Sequence, residues 1–309
     1  MNKYIIALLV VFIFAMLLYV YEQINKLKNK CSILEQEYLS LDIVQPSDSV
    51  SLKPINTIVF KSAYNCCCIG NLKNDYVDLC ALKNCYHNGV RVLDFQIFAL
   101  NNKPVISASS INENEYKEIY NYISLSEAML TVKQYFLNTY KNSNNKQVLF
   151  LNFRINSNNK EIYDEIANIL KKIFNQKAEI FNPITESKSI DEYNLDELKH
   201  KVVIMVDLNA SPNFKNLFYT TELSKLTLIK LGSNELNHAI QENEVIYQGS
   251  GSLSSIYPKK QMHVKNYDYK TKGIQNNFHF VFMNYQLKDN WLKKYNDEFN
   301  NSSFIIKDP

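Results

Sequence analysis

The sequence predicts an α/β protein, a parallel sheet with helices outside it, carried behind a membrane-spanning helix. Three observations predict this. From Ile55 onward, short apolar β-branched runs alternate with helical patterns, as in a sheet built from strand–helix–strand units. Tyr4 to Tyr21 runs without a charge, and at ~1.5 Å per residue it spans roughly the ~30 Å hydrocarbon core. Gly89 to Phe98 is an almost continuous apolar run that nevertheless carries Asp94 and Gln96 at i, i+2. Their side chains therefore share one face of a buried strand, where polar groups must be satisfied or used. An all-parallel barrel and an open doubly wound sheet both fit the alternation.

At the N-terminal span, a secretory signal peptide is the competing reading, but no small-x-small site follows the run; Tyr19, Tyr21 and Glu22 follow instead. Lys26, Lys28 and Lys30 come after the span and only Lys3 before it, so the positive-inside rule places the larger part on the cytoplasmic side. Ile24, Leu27, Cys31, Leu34, Tyr38 and Leu41 then step by threes and fours. That stripe reads either as a stalk that packs on the following domain or as a short homodimer seam with Cys31 on it. Pro46 to Ser49 reads as a linker.

The strands expected from apolar runs are Thr57–Phe60, Gly89–Phe98, Pro104–Ser107, Gln147–Ile155, Lys201–Val206, Leu253–Pro258, Phe278–Tyr285 and Phe304–Lys307. Helical spacing places helices over Asp75–His87, Leu125–Tyr140 with Ser124 or Ser126 as cap, Ile162–Phe174 and Asp289–Phe299. Gly89 closes the first of these, and Asn101-Asn102 turns the chain after its strand. Leu208 to Lys225 reads as a loop, and Ser250-Gly251-Ser252 as a turn.

The net charge of +3 and the lack of a basic block exclude nucleic acid as an implied partner. Six cysteines in 309 residues form no small disulfide framework, which agrees with a reducing compartment. Zinc is weighed on Cys80, Cys85, His87 and the Cys66–Cys68 run, but the spacing is not that of a paired zinc site, and buried thiols are the preferred reading.

Two blocks go further. Leu-Ser-Ser-Ile-Tyr-Pro-Lys (253–259), Asn266-Tyr267, Gly-Ile-Gln (273–275), Met-Asn-Tyr-Gln (283–286) and Ile-Ile-Lys-Asp-Pro (305–309) follow one another in the order and spacing of the Y half of phosphoinositide-specific phospholipases C. Ser-Ala-Tyr-Asn (62–65), Gly-Val-Arg-Val-Leu-Asp (89–94) and Pro-Val-Ile-Ser-Ala-Ser (104–109) resemble segments of the X half. The resemblance covers about four fifths of the chain and is nearest to phospholipase C-like proteins of large DNA viruses, some of which share the Tyr-Asn-Cys-Cys run. It implies a distorted TIM barrel of the phospholipase C-like phosphodiesterase type, with its site at the C-terminal strand ends. The implied organisation is an anchor at 1–22, a helical stalk and linker at 23–54, and a barrel at 55–309. Within the barrel an X-like half (55–207) is joined by a loop (208–225) to a Y-like half (226–309).

In that family two histidines do acid–base work while Ca²⁺ stabilises the phosphate. By the resemblance, Tyr64 and Ala108 replace the histidines, and none of His87, His200, His238, His263 or His279 corresponds. Asn65 and Asp94 match two calcium ligands, whereas Gln96 and Arg154 stand at the other two, so the calcium site is a remnant and no cofactor is expected. Arg154 is either a substitute for the cation, binding phosphate, or half of an internal ion pair with Asp94; metal-free bacterial relatives use an arginine too, at the position of Gln96. Tyr257 matches a tyrosine that stacks on the inositol ring, with a core aromatic as the alternative, and Ser255 replaces the arginine beside it. Met205 and Asp207 stand where lysines bind ring phosphates. The implied function is a membrane-anchored, catalytically degenerate homologue with a residual pocket for phosphate or a phosphoinositide headgroup. The alternatives are an active metal-independent phosphodiesterase and a structural protein of a virion membrane.

Overall fold

The computed structural model describes residues 3–38, 48–111, 115–138, 147–175, 179–181, 189–208, 215–227, 229–231, 239–242, 253–299 and 302–307. The expected turn at Ser250–Ser252, His238, and Pro46, Ser47 and Leu41 of the linker and stalk lie outside them. The chain opens with one continuous helix, α1 (Lys3–Tyr38), followed by the short α2 (Asp48–Ser51). β1 (Ile58–Ala63) leads to α3 (Leu79–His87), and β2 (Val92–Leu100) is followed by β3 (Lys103–Ile106) and β4 (Ile123–Ser124). Then come α4 (Leu125–Val132), β5 (Leu149–Asn156), α5 (Lys160–Ile173), β6 (Val202–Asp207), α6 (Lys215–Phe218) and α7 (Glu222–Leu226). β7 (Ile229–Leu231), β8 (Ala239–Gln241), β9 (Ser255–Tyr257), α8 (Tyr269–Lys272), β10 (Phe280–Met283), α9 (Asn290–Glu298) and β11 (Phe304–Ile306) complete it.

The strands run in the order β7-β6-β5-β2-β1-β10-β9-β8, and every pairing along that path is parallel. β1, the first barrel strand in the chain, thus sits between β2 and β10, the strands of the two sequence halves. That is barrel connectivity rather than the order of an open doubly wound sheet. Among the described residues, the two end strands β7 and β8 do not pair with each other. β3 folds back on β2 through Asn101 and Asn102, both at positive φ, and β11 runs antiparallel to β1.

Local chemistry explains the element ends. Asp78 accepts a hydrogen bond from the Cys80 amide and starts α3 later than the expected Asp75. Gly89, at φ +72, ends it, as anticipated. Ser124 rather than Ser126 caps α4, accepting from the Glu127 amide, and the helix widens into a π-turn at Lys133–Asn138. α5 buries Ile162, Ile166, Leu170 and Ile173 on one face. One expectation is corrected: the segment 208–225, read as a loop, holds α6 and the start of α7. The 3-residue strands β7 and β8, which the sequence reading did not include, are too short for any periodicity to reveal.

The inward positions form layers. At the N-terminal end of the barrel, Phe60 lies 5.0 Å from Phe150, 5.4 Å from Phe280 and 5.4 Å from Phe304, centroid to centroid. All four rings are buried. At the same end, buried His279 accepts the Ser254 amide at Nδ1 (3.1 Å) and donates from Nε2 to the Asn56 carbonyl (2.8 Å). Burial, with the Lys307 charge adding to it, pushes its pKa down to about 3, while the unfolded chain holds a histidine at about 6.5. Between those values the unfolded state binds a proton that the folded state refuses, so stability falls as pH drops from about 6.5 toward 3. His279→Gln should flatten the dependence of melting temperature on pH across 6.5 to 4. An unchanged slope would assign acid sensitivity elsewhere.

α1 exposes apolar side chains all round between Ile5 and Tyr21 and is long and apolar enough to cross a membrane; an anchor and a signal sequence share those properties. Its C-terminal half lies on the barrel. Leu34 packs with Ile69 and Ala81, and Leu27 and Tyr76 flank them. Lys30 pairs with Asp75 at 3.0 Å, and Cys31 is disulfide-bonded to Cys80. One expectation gives way here: the cysteines are not all free thiols. Of the two readings of the stripe, packing on the following domain is the one that Leu27, Cys31 and Leu34 follow.

Candidate functional site

The parallel register of β2 and β5 sets Asp94 beside Asn152 and Gln96 beside Arg154, so four polar residues share the barrel interior near the C-terminal strand ends. β1 delivers Tyr64 and Asn65 just past its last residue. Asn65 adopts φ +48, a left-handed conformation that Asn tolerates better than most residues, and this turns its backbone amide toward β2.

Asp94 is fully buried and its carboxylate accepts from four donors. Arg154 donates from Nε to Oδ1 (2.9 Å) and from Nη2 to Oδ2 (2.7 Å). Asn152 Nδ2 donates to Oδ1 (2.9 Å) and the Asn65 amide to Oδ2 (2.9 Å). Arg154 also donates to the Asn65 side-chain oxygen at 2.6 Å, and its guanidinium lies 4.3 Å from the centroid of the Tyr64 ring. Burial works against the Arg154 charge, but the charge and hydrogen bonds of Asp94, with Tyr64 and Tyr257 beside it, together hold the pKa above the ordinary value. Tyr257 receives the other Asn152 hydrogen bond (2.9 Å) and stacks on Phe282 at 4.7 Å.

The structure thus brings together Tyr64, Asn65, Asp94, Arg154 and Tyr257. Gln96 is elsewhere engaged: its amide donates to Asn156 (3.3 Å) and its oxygen accepts the Ser109 amide (3.1 Å). Ala108 and Met205 are fully buried, and Asp207 is buried at the end of β6. Ser255 is buried too, and its hydroxyl, Asn65 Nδ2 and Asn152 Oδ1 have no protein hydrogen-bond partner.

Asn152 escaped the sequence reading, although it stands two residues before Arg154 on the same strand face, the relation that singled out Asp94 and Gln96. Lys260 escaped it as well. It follows β9, donates to the Ile111 carbonyl at 2.5 Å, and its pKa falls to about 7, first through burial and then through the Arg154 charge.

Calcium does not fit this donor set. Both oxygens of Asp94 are engaged by Arg154, Gln96 is neutral and turned to Ser109, and a guanidinium stands beside Asn65 and Asp94 where a hard dication needs several anionic oxygens. Zinc on Cys80, Cys85, His87 and Cys66–Cys68 fails too. Cys80 is in a disulfide, and Cys66, Cys67, Cys68 and Cys85 are buried thiols. Tyr64 stays protonated near neutral pH, because burial pushes its phenol up to about 12, so it offers no general base there.

No protein-family model matches the sequence, and no curated protein matches it. Solved structures do match. PLC21 of L. pealei superposes with a TM-score of 0.63 at 11% identity, over 83% of this chain and 37% of that one. PLC21 of S. officinalis gives 0.61 at 11% identity, again over 83% and 37%. The chain therefore spans less than half the length of either. The calcium-dependent phosphoinositol-specific phospholipase C of Pseudomonas sp superposes at 0.55 with 8% identity, over 84% of this chain and 97% of that one. The fold is the TIM-like barrel of these phospholipases C.

Proposed function

We propose that this chain is a membrane-anchored, catalytically degenerate homologue of phospholipase C-like phosphodiesterases, whose former reaction centre is now an internal ion-pair core and whose barrel serves as a membrane-tethered scaffold. The observation that carries this is the saturation of Asp94 by four donors, with Arg154 as two of them. Headgroup binding needs Arg154 directed into an open mouth. The arginine instead is buried, capped by Tyr64, and already paired. Stacking of an inositol ring needs a free face on Tyr257, which is buried against Phe282. A structural role in a virion membrane is consistent with a barrel centre in which Asp94 and Arg154 are already paired.

The test is release of inositol phosphate from phosphatidylinositol vesicles by the full chain, with and without Ca²⁺. No release above an Arg154→Ala control, under either condition, is the expected result. A second reading, metal-independent hydrolysis, is favoured by one observation, the lowering of Lys260 to about 7 beside Arg154, Asp94 and Asp207. A near-neutral amine is a competent general base. Release that disappears in Lys260→Ala would establish that reading in place of the first.

A further inference from the structure

The helix that leaves the apolar span is held to the barrel at several points. Cys31 is bonded to Cys80, 49 residues away, with the Cα atoms 5.6 Å apart. Immediately before Cys31, Lys30 donates to both oxygens of Asp75 at 3.2 and 3.0 Å, and Lys26, about one turn earlier, reaches the same carboxylate at 3.7 Å. Gly70 makes room for this contact: a Cβ there would fall 2.2 Å from an Asp75 oxygen and 2.3 Å from Lys30 Nζ. Where the helix departs toward its apolar part, the Tyr19 and Tyr120 hydroxyls lie 3.2 Å apart.

We propose that the Cys31–Cys80 disulfide is a covalent clamp fixing the membrane-spanning helix to the barrel beside the loop that carries Tyr64 and Asn65, and that the barrel lies on the side of the membrane where disulfides form. The cysteines sort into two classes. Cys66, Cys67, Cys68 and Cys85 are free thiols sealed in or beside the main core, where no oxidant reaches them. Cys31 and Cys80 join α1 and α3, which the chain links through residues 39–78, and Cys31 is partly exposed. Formation is thiol–disulfide exchange: the two thiols lose two electrons and two protons, and a disulfide-bearing oxidoreductase of that compartment takes them up as two thiols. Reducing compartments keep such pairs open. The lysines that argued for the cytoplasmic side have a local reason to be there, since Lys26 and Lys30 both serve Asp75. The clamp does not depend on whether the barrel centre is catalytic.

The experiment uses the full chain with a site-specific protease sequence inserted at residues 43–46, produced in eukaryotic cells and alkylated at lysis. After cleavage, a denaturing gel without reductant should show one species of full mass, and with reductant two fragments. The Cys31→Ser, Cys80→Ser double variant should show two fragments under both conditions. Two fragments from the parent chain without reductant would overturn the clamp. In sealed microsomes the barrel should resist added protease until detergent is present. Digestion without detergent would overturn the assignment of side while leaving the clamp to the gel.

Discussion

Arg154→Met should destabilise the barrel by about 3–5 kcal/mol, the cost of leaving a buried charge without its partner. The expectation follows from how completely Asp94 depends on this arginine. Two of its four hydrogen bonds come from the guanidinium, and the carboxylate is fully buried, so water cannot replace them. Met keeps most of the side-chain volume and removes the charge. In Asp94→Leu, the complementary change, Arg154 is stranded instead and the loss should be similar. The double variant should be less destabilised than either single change, because a buried pair recovers little beyond its own desolvation and breaking it is what costs. Asn65 and Asn152 lose an acceptor in it, so recovery stays incomplete. Urea unfolding of the four proteins measures this directly. Singles within about 1 kcal/mol of the parent would mean that the pair is solvated. Arg154 would then be available to a ligand, and the scaffold reading would fail.

The ion pair was within reach of the sequence, because its parts lie on strands that period-2 patterning identifies. Asp94 and Gln96 announce an interior polar face, Arg154 appears on a second strand of the same kind, and the order of segments resembling X and Y halves supplies a barrel to bring them together. What the sequence left open was the choice between an arginine aimed at phosphate and one aimed at Asp94. That choice turns on register, and Asp94 is level with Asn152, not Arg154, so the guanidinium must reach one step down the barrel. Composition also gave no way to see the disulfide. Cys31 lies in a helix and Cys80 in another, 49 residues on, and an even cysteine count cannot distinguish one pair and four thiols from six thiols. The same holds for β7 and β8, whose pairings with β6 and β9 come from the barrel rather than from their own residues. Local patterning reaches as far as each element's own buried face, and contacts between elements require the topology.

Phe60→Ala should cost about 3–5 kcal/mol and lower the melting temperature by on the order of 10 °C. The ring is fully buried and touches Phe150 on β5 together with Phe280 on β10 and Phe304 on β11. Those partners come from opposite halves of the sequence. Phe150 and Phe280 also meet each other at 5.2 Å, so the cavity left by Phe60 cannot close without moving strands that are fixed by the ladders on either side of β1. Because β1 pairs with β2 on one edge and β10 on the other, the loss should appear as one cooperative transition shifted to lower denaturant, with the slope kept. Phe304→Ala removes a neighbour from the same cluster, and the two changes together should cost less than their sum, since the second acts on a cavity the first has opened. Two separated transitions in Phe60→Ala would point the other way, to X-like and Y-like halves that fold independently and meet only at β1. In that case the aromatic layer would be an interface between domains, and the stability of the Arg154–Asp94 core, which draws its parts from β1, β2 and β5, would no longer respond to changes at Phe280 or Phe304.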